Sequence, residues 1–120
     1  LTGSAVQGFG NSGNKQLFGN AGVNVLFGRG GSDYLVGGGG DDIFVVIAET
    51  GTVDIIGDFA GAGVAGGDRM SFGGFGAGAT VTQVSQTSFQ VASADGSVVQ
   101  QFILQGHDGT ALDSSDYYFA

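Results

Sequence analysis

The sequence predicts an all-β fold, a roll of short parallel strands followed by a β-rich C-terminal capping segment. The chain has 120 residues, of which 26 are glycine, and it has no proline or cysteine. Because glycine costs about 1 kcal/mol per helical position relative to alanine, the glycines are expected in turns rather than in long helices. Hydrophobic residues make up 42% of the chain, which is too many for a disordered segment. A nine-residue period in the first third is the third observation.

Four glycine-anchored blocks of nine residues lie end to end over residues 10–45. They read GNSGNKQLF, GNAGVNVLF, GRGGSDYLV and GGGGDDIFV. Positions one and four are glycine in every block, and position eight is a large apolar residue: Leu17, Leu26, Leu35 and Phe44. Self-similarity at a fixed period indicates a repeat architecture.

Each block divides into a six-residue turn and a three-residue strand. The turn is rich in Gly, Asn and Asp, which favour tight turns. In the strand, position eight is expected to point inward and positions seven and nine outward. Two blocks then complete one coil of eighteen residues between two facing parallel sheets, with blocks one and three in one sheet and blocks two and four in the other.

The outward positions of these strands are unusually apolar. Seven of the eight, all except Gln16, are apolar or aromatic. Apolar patches of this kind mark surfaces that are covered by other parts of a protein or by partners. We expect either the remaining 75 residues or neighbouring subunits to cover them.

After residue 45 the nine-residue period stops and a series of ordinary strand patterns follows. Strands are predicted at residues 52–56, 68–72, 80–84, 88–92, 97–104 and 117–119. The Asp95-Gly96 pair predicts a hairpin between two of them. The predicted organisation is a lead-in over residues 1–9, four repeats over residues 10–45 and a β cap over residues 46–120.

The blocks resemble the RTX nonapeptide, G-G-x-G-x-D-x-U-x, a calcium-binding repeat. The resemblance implies a right-handed parallel β-roll in which position-six carboxylates and nearby turn carbonyls bind Ca²⁺ between stacked turns. It implies Asn24, Asp33 and Asp42 as metal ligands at position six, with Asp54 capping the last calcium turn. Carboxylates and turn carbonyls suit Ca²⁺, which takes six to eight oxygen ligands.

Position six departs from the family pattern in two blocks, where it is Lys15 and Asn24. Because turns of one edge come from alternate blocks, Lys15 is expected to stack on Asp33, and Asn24 on Asp42. The second pair can still hold Ca²⁺, with one charge instead of two. At the first pair we expect the Lys15 ammonium to take the place of the metal, unless Asp33 binds one with the following turn, residues 48–51. All four turns could also be stabilised loops without metal.

The tail resembles the segment that closes RTX rolls in secreted bacterial proteins. Residues 54–59 resemble D-x-I-x-D-F, residues 67–72 resemble G-x-D-x-I-x-L, and residues 112–119 resemble L-x-x-x-D-F-x-F. The final acid, Asp116, and the hydrophobic residues after it resemble the signal that type I (ABC) exporters read. The resemblance implies a bacterial protein that is secreted, extracellular or held at the cell surface.

Charge and motif context exclude several other functions. A net charge of −8 repels phosphate backbones and anionic lipid, so no nucleic-acid partner is expected. The longest apolar run, residues 43–48, is too short to span a membrane. Two G-x-G-x-x-G matches lack a βαβ context, and the single histidine, His107, is expected in a solvated turn. No enzyme is predicted.

Three functions remain. The first is a non-catalytic extracellular calcium-binding module that drives calcium-dependent folding and type I secretion of a bacterial protein. The first alternative is a self-assembling module of an S-layer or extracellular filament, a homo-oligomer joined through the apolar sheet faces. The second alternative is a polysaccharide-binding accessory module, which the presence of only three basic residues disfavours.

Overall fold

The computed structural model describes residues 7–9, 16–20, 22–28, 31–48, 52–59, 68–106, 112 and 116–119. These residues form eleven strands and no helix. The strands are β1 (Gln7–Phe9), β2 (Gln16–Phe18), β3 (Val25–Phe27), β4 (Tyr34–Val36), β5 (Ile43–Ile47), β6 (Val53–Ile56), β7 (Arg69–Gly73), β8 (Thr80–Gln83), β9 (Ser88–Ala92), β10 (Val99–Leu104) and β11 (Tyr117–Phe119). The prediction of an all-β fold is confirmed.

The strands form two sheets, and successive repeats alternate between them. Sheet 1 has the order β1-β3-β5-β7-β11, and sheet 2 has the order β2-β4-β6-β10-β9-β8. Strands of alternate blocks pair in parallel with a register of eighteen residues, so that Leu17 faces Leu35 and Leu26 faces Phe44. This is the coil that the block length predicts.

The strand within each block covers positions seven to nine, as predicted. Leu26, Leu35 and Phe44, all at position eight, are fully buried, and Leu17 packs against the same core. The outward residues beside them are mostly half-buried, and Phe18 is 51% exposed. The alternation along each strand therefore matches the inward and outward faces expected from the pattern.

Two features of the sheets differ from a purely parallel roll confined to the repeats. Sheet 2 is mixed, because β9 pairs antiparallel with both β10 and β8. Parallel pairing also continues beyond residue 45, since β6 adds to β4 and β7 adds to β5. At the other end β1, in the predicted lead-in, pairs in parallel with β3. The end of the nine-residue period therefore does not end the two-sheet arrangement.

The core changes character from the repeats to the cap. Within the repeats it is a row of aliphatic residues with Phe44, whereas in the cap four phenylalanines, at positions 72, 75, 89 and 102, pack among aliphatic residues. The ring of Phe102 stacks on Phe89 with centroids 5.3 Å apart and lies 5.4 Å from Phe72. The predicted hairpin joins β9 to β10, and Gly96 in its turn has a φ of 72°, a conformation that favours glycine. The described residues include no helix long and apolar enough to cross a membrane.

Candidate metal centre

The sheet order places the turns at two edges of the molecule. Among the described residues, the first edge, where the chain passes from sheet 2 to sheet 1, includes residues 19–20, 22–24, 37–42, 57–59 and Asp68; residues 19–24 and 37–42 are called turns 19–24 and 37–42. The second edge, where the chain passes from sheet 1 to sheet 2, includes the described residues 28, 31–33, 48 and 52. Because the strands at each edge are parallel and in register, position-six residues of alternate blocks lie next to one another.

At the first edge the position-six residues are joined by a reciprocal pair of hydrogen bonds. The backbone N–H of Asn24 donates to Oδ1 of Asp42 over 2.8 Å. In return, the N–H of Ile43 donates to the backbone carbonyl of Asn24, also over 2.8 Å. The expected stacking of Asn24 on Asp42 is thus present in the structure.

The same pair of bonds occurs again between Asp42 and Asp68. The N–H of Asp42 donates to Oδ1 of Asp68 over 2.8 Å, and the N–H of Arg69 donates to the carbonyl of Asp42 over 2.8 Å. Asp68 therefore occupies a position equivalent to position six, although it lies 26 residues after Asp42 rather than 18.

The second edge shows this arrangement between Asp33 and Asp54. The N–H of Asp33 donates to Oδ1 of Asp54 over 2.9 Å, and the N–H of Ile55 donates to the carbonyl of Asp33 over 2.8 Å. The turn at residues 48–51, one of the two neighbours expected for Asp33, is described only at Ala48, and the contact that the structure displays is with Asp54 of β6. Lys15, the other expected neighbour of Asp33, lies outside the described residues.

The residues of both edges are removed from solvent. Buried polar side chains here include Asn24, Asp33, Asp42, Asp54 and Asp68, none of them more than 4% exposed. Burial of a carboxylate is costly unless hydrogen bonds or an opposite charge compensate for it. Backbone N–H groups compensate in part, through one oxygen of each acceptor carboxylate named above.

The hydrogen bonds compensate the carboxylate of Asp42 only in part. Its Oδ2 atom is buried and has no hydrogen-bond partner among the described residues. Burial raises the pKa of Asp42 from 3.8 to about 6, even though the Asn24 N–H acts in the opposite direction, and the negative charges of Asp68, Asp58 and Asp41 add to the increase. A positive charge at this place would relieve both effects.

The position-one glycines make room for the position-six carboxylates of the same blocks. A Cβ atom at Gly37 would overlap Oδ2 of Asp42, and a Cβ atom at Gly28 would overlap Oδ2 of Asp33. These glycines are required by close approach rather than by an unusual φ. The first glycine and the sixth residue of a block are therefore in direct contact across the turn.

Two other side chains shape the first edge. Asp58 accepts hydrogen bonds from the N–H groups of Gly37 and Gly38, at 2.8 and 2.7 Å, and so holds the start of turn 37–42. In turn 19–24, the Oδ1 atom of Asn24 accepts the N–H of Asn20 at 2.9 Å, while its Nδ2 donates to Oδ1 of Asn20 at 3.0 Å. Turn 19–24 is thus closed by amide hydrogen bonds.

Sequence reasoning identified Asn24, Asp33, Asp42 and Asp54 and missed Asp58 and Asp68 as parts of the edge. The nine-residue period does not predict either residue, because both lie in the connection between β6 and β7, which is longer than a repeat turn. A signal was nevertheless present. Asp68 directly precedes a strand with an inward residue two places later, as Asp42 does.

The oxygen atoms at these edges suit a hard cation. Carboxylates and backbone carbonyls are the ligands that Ca²⁺ prefers. The described residues contain no group of three or more His, Cys, Asp or Glu side chains that could hold a metal ion. The acidic side chains at each described edge occur as successive pairs beside turn carbonyls.

Stacked acidic turns between two sheets are typical of cation-binding repeat proteins. Residues 9–44 match the family model of the RTX calcium-binding nonapeptide repeat in four copies, one residue ahead of the glycine-anchored frame. This segment therefore consists of RTX repeats, and RTX repeats bind Ca²⁺. The repeat family is a non-catalytic module, and its presence implies a β-roll. No curated protein matches the chain at a significant level.

Proposed function

We propose that the chain is an extracellular calcium-binding module whose folding depends on Ca²⁺, with Asn24, Asp33, Asp42 and Asp54 among its ligands. The observation that carries this proposal is the buried Oδ2 atom of Asp42, which has no hydrogen-bond partner among the described residues. A divalent cation supplies the positive charge that this carboxylate lacks. The Asp33 and Asp54 pair offers a comparable set of oxygens at the second edge.

Calcium binding then contributes directly to folding free energy. Without the ion, folding brings buried carboxylates together and removes them from water, which is unfavourable. An ion that binds only the folded state stabilises it by about 2.7 kcal/mol when its concentration is 100 times Kd. This is about half of the lower end of the usual net stability of about 5–15 kcal/mol, which is enough to convert a marginally unstable chain from unfolded to folded.

The proposal includes the cellular setting and the finer architecture. We infer a right-handed roll, since nearly all parallel crossover connections have this hand. We also infer the division into a lead-in at 1–9, repeats at 10–45 and a cap at 46–120, with the end of the cap read by a type I exporter. The chain would cross a bacterial envelope unfolded where calcium is scarce and fold outside, where calcium is abundant.

Circular dichroism with and without EGTA tests this proposal. We expect the strand signal to be present in millimolar Ca²⁺, to be lost in EGTA and to return when Ca²⁺ is added back. Asp41→Asn is a matched control, because it removes one negative charge from an exposed residue that is not in position six and should leave the response to Ca²⁺ unchanged. A fully folded spectrum in EGTA for the unmodified chain would contradict calcium-dependent folding.

A self-assembling structural module is the second candidate, and exposed apolar residues favour it. Phe18 is 51% exposed on sheet 2, and Phe119, in the last strand of sheet 1, is 39% exposed. Such residues favour burial against another copy of the chain. Sedimentation velocity in Ca²⁺ tests this candidate: concentration-dependent assembly that Phe18→Ser reduces would support it, and a monomer at high concentration would count against it.

A further inference from the structure

Asp68 lies outside the RTX repeats but is bonded as a repeat residue is. The matched repeats end at residue 44, and Asp68 lies 24 positions after that point. Even so, Asp68 and Asp42 share the two reciprocal hydrogen bonds that join Asp42 to Asn24, with the same 2.8 Å distances. The hydrogen-bond pattern of the array is thus continued at Asp68, directly before β7.

The Asp42 and Asp68 pair carries more negative charge than the Asn24 and Asp42 pair before it. The Asn24 and Asp42 pair contains one carboxylate, whereas the Asp42 and Asp68 pair contains two, on residues that are 1% and 2% exposed. The adjacent basic residue, Arg69, directs its guanidinium over the ring of Tyr118, 4.8 Å from the ring centroid. Asp42 also keeps a buried Oδ2 that no described residue contacts by a hydrogen bond.

We propose that Asp42 and Asp68, together with carbonyl oxygens of turn 37–42, hold a Ca²⁺ ion between the last repeat and the cap. The identity of the ion as Ca²⁺ rests on the proposed calcium-binding function. Two carboxylates and several carbonyls give the hard, oxygen-only ligand set that Ca²⁺ requires. The Asp42 and Asp68 pair carries two negative charges, and the Asn24 and Asp42 pair carries one. The site at Asp42 and Asp68 therefore binds Ca²⁺ more tightly.

Because of the position of Asp68 in the chain, this ion would attach the cap to the last repeat. Asp68 directly precedes β7, which pairs with β5 on one side and β11 on the other. The next inward residues of β7, Met70 and Phe72, are fully buried, and Phe72 packs against Phe102 of sheet 2. An ion at Asp68 therefore fixes the register of the strand on which the sheet 1 half of the cap is built.

Calcium titration of the Asp68→Asn variant tests the inference. The amide keeps an oxygen that can accept the Asp42 N–H, so the hydrogen bond survives while the charge is lost. By isothermal titration calorimetry with Ca²⁺ alone, we expect the variant of the full chain to bind one ion fewer than the unmodified chain. Asp41→Asn is the matched control, because it removes the same charge from an exposed neighbour of Asp42 and should leave the number of ions unchanged.

Hydrogen exchange supplies a second measurement that is local to the cap. In saturating Ca²⁺, Asp68→Asn should lose protection in β7 and β11 while β3 keeps it. If the unmodified chain binds Ca²⁺ and Asp68→Asn binds the same number of ions with equal affinity, the inference is overturned and the proposed function stands. Loss of protection in β3 as well would overturn the cap-specific role. If the unmodified chain binds no Ca²⁺ at all, both the proposed function and this site are overturned.

Discussion

The two edges of the roll use the same backbone bonds but compensate their buried polar groups in different ways. At the first edge, acids succeed one another from Asp42 to Asp68, and one oxygen of Asp42 has no hydrogen-bond partner among the described residues. At the second edge, the residue of β10 in register with Asp54 is Phe102, so the row of acids ends at Asp54 among the described strands, and the buried amide of Gln100 lies two residues before Phe102. Its Nε2 donates to the carbonyl of Thr52 at 2.9 Å, and its Oε1 accepts from the Thr52 hydroxyl at 3.0 Å.

Both edges contain a pair of buried carboxylates, Asp42 with Asp68 and Asp33 with Asp54, and the edges differ in the groups that follow these pairs in the cap. A side-chain amide can donate a hydrogen bond to a turn carbonyl without any added ion. The burial of a row of carboxylates, in contrast, is unfavourable unless a cation neutralises their charge. The second edge therefore has a neutral termination in the cap, and the first edge has a charged one. Hydrogen bonding alone does not distinguish the edges; the groups that follow the carboxylate pairs do.

The largest effect that we predict comes from filling the space beside the Asp42 carboxylate. Gly37→Ala places a Cβ atom on Oδ2 of Asp42. Overpacking of this kind typically costs about 1–3 kcal/mol, and displacement of the carboxylate should weaken calcium binding at the first edge as well. Urea unfolding in saturating Ca²⁺ measures the loss.

Gly22→Ala is the control for this substitution. Gly22 is exposed in turn 19–24, and the nearest atom to an added Cβ is the side-chain oxygen of Asn20 at 3.3 Å. We expect a much smaller change in unfolding free energy than for Gly37→Ala. Equal effects of the two substitutions would show that contact with the position-six carboxylate is not what requires glycine at position one.

An intermediate effect is predicted for restoring the second charge to the Asn24 and Asp42 pair. Asn24→Asp should raise calcium affinity at the first edge by roughly tenfold, about 1.4 kcal/mol, because affinity of such sites follows ligand charge. It should also destabilise the calcium-free fold, since the hydrogen bond from Nδ2 of Asn24 to Asn20 is lost.

Titration against a competing chelator measures this affinity. Asn20→Asp is a matched control, because it adds the same charge to the same turn at a residue that is not in position six. A rise in affinity of the same size in both variants would indicate a general charge effect. No rise in Asn24→Asp would mean that this pair holds no ion.

The smallest predicted effect is a pH dependence at the first edge. The pKa of Asp42 is raised in the folded chain to about 6, from an ordinary 3.8, chiefly by burial. The calcium-free fold therefore binds more protons than the unfolded chain between these two values. The resulting stabilisation is fully present below about pH 3.8 and is lost as pH rises through about 6.

In EGTA, the folded fraction should accordingly increase as pH falls from 7 to 5, and calcium affinity should decrease over the same interval because the proton and the ion compete for Asp42. Circular dichroism and chelator titration at both pH values measure the two trends. Asp42→Asn should remove this residue's share of each trend. A folded fraction in EGTA that decreases from pH 7 to pH 5 would contradict the assignment to Asp42.

The repeats could be predicted closely from the sequence because their information is local. The nine-residue spacing of Gly28 and Gly37, with Leu35 and Phe44 at position eight, determines the turn, the inward face and the eighteen-residue register together. Hydrophobic alternation likewise located the cap strands to within about two residues at their ends. The hairpin between β9 and β10 followed from its turn residues alone.

The pairings of the cap could not be predicted in the same way. The parallel contact of β10 with β6 joins segments that are more than forty residues apart, and the antiparallel β8 and β9 follow it in the same sheet. Such pairings depend on which buried faces fit together, and no local pattern encodes them. For the same reason Asp68 was not recognised as a counterpart of Asp42: a longer connection breaks the period while three-dimensional stacking preserves the contact.

The contact between Gly37 and Asp42 has a consequence for how the nonapeptide motif should be read and engineered. The motif is usually written as a string of preferred letters, yet two of those letters describe complementary halves of one steric fit. Each half constrains the other: a larger first residue is tolerable only if the sixth is shortened, and a carboxylate is tolerable only if the first residue has no side chain. Sequence libraries for designed β-rolls should therefore vary positions one and six of each repeat together rather than independently.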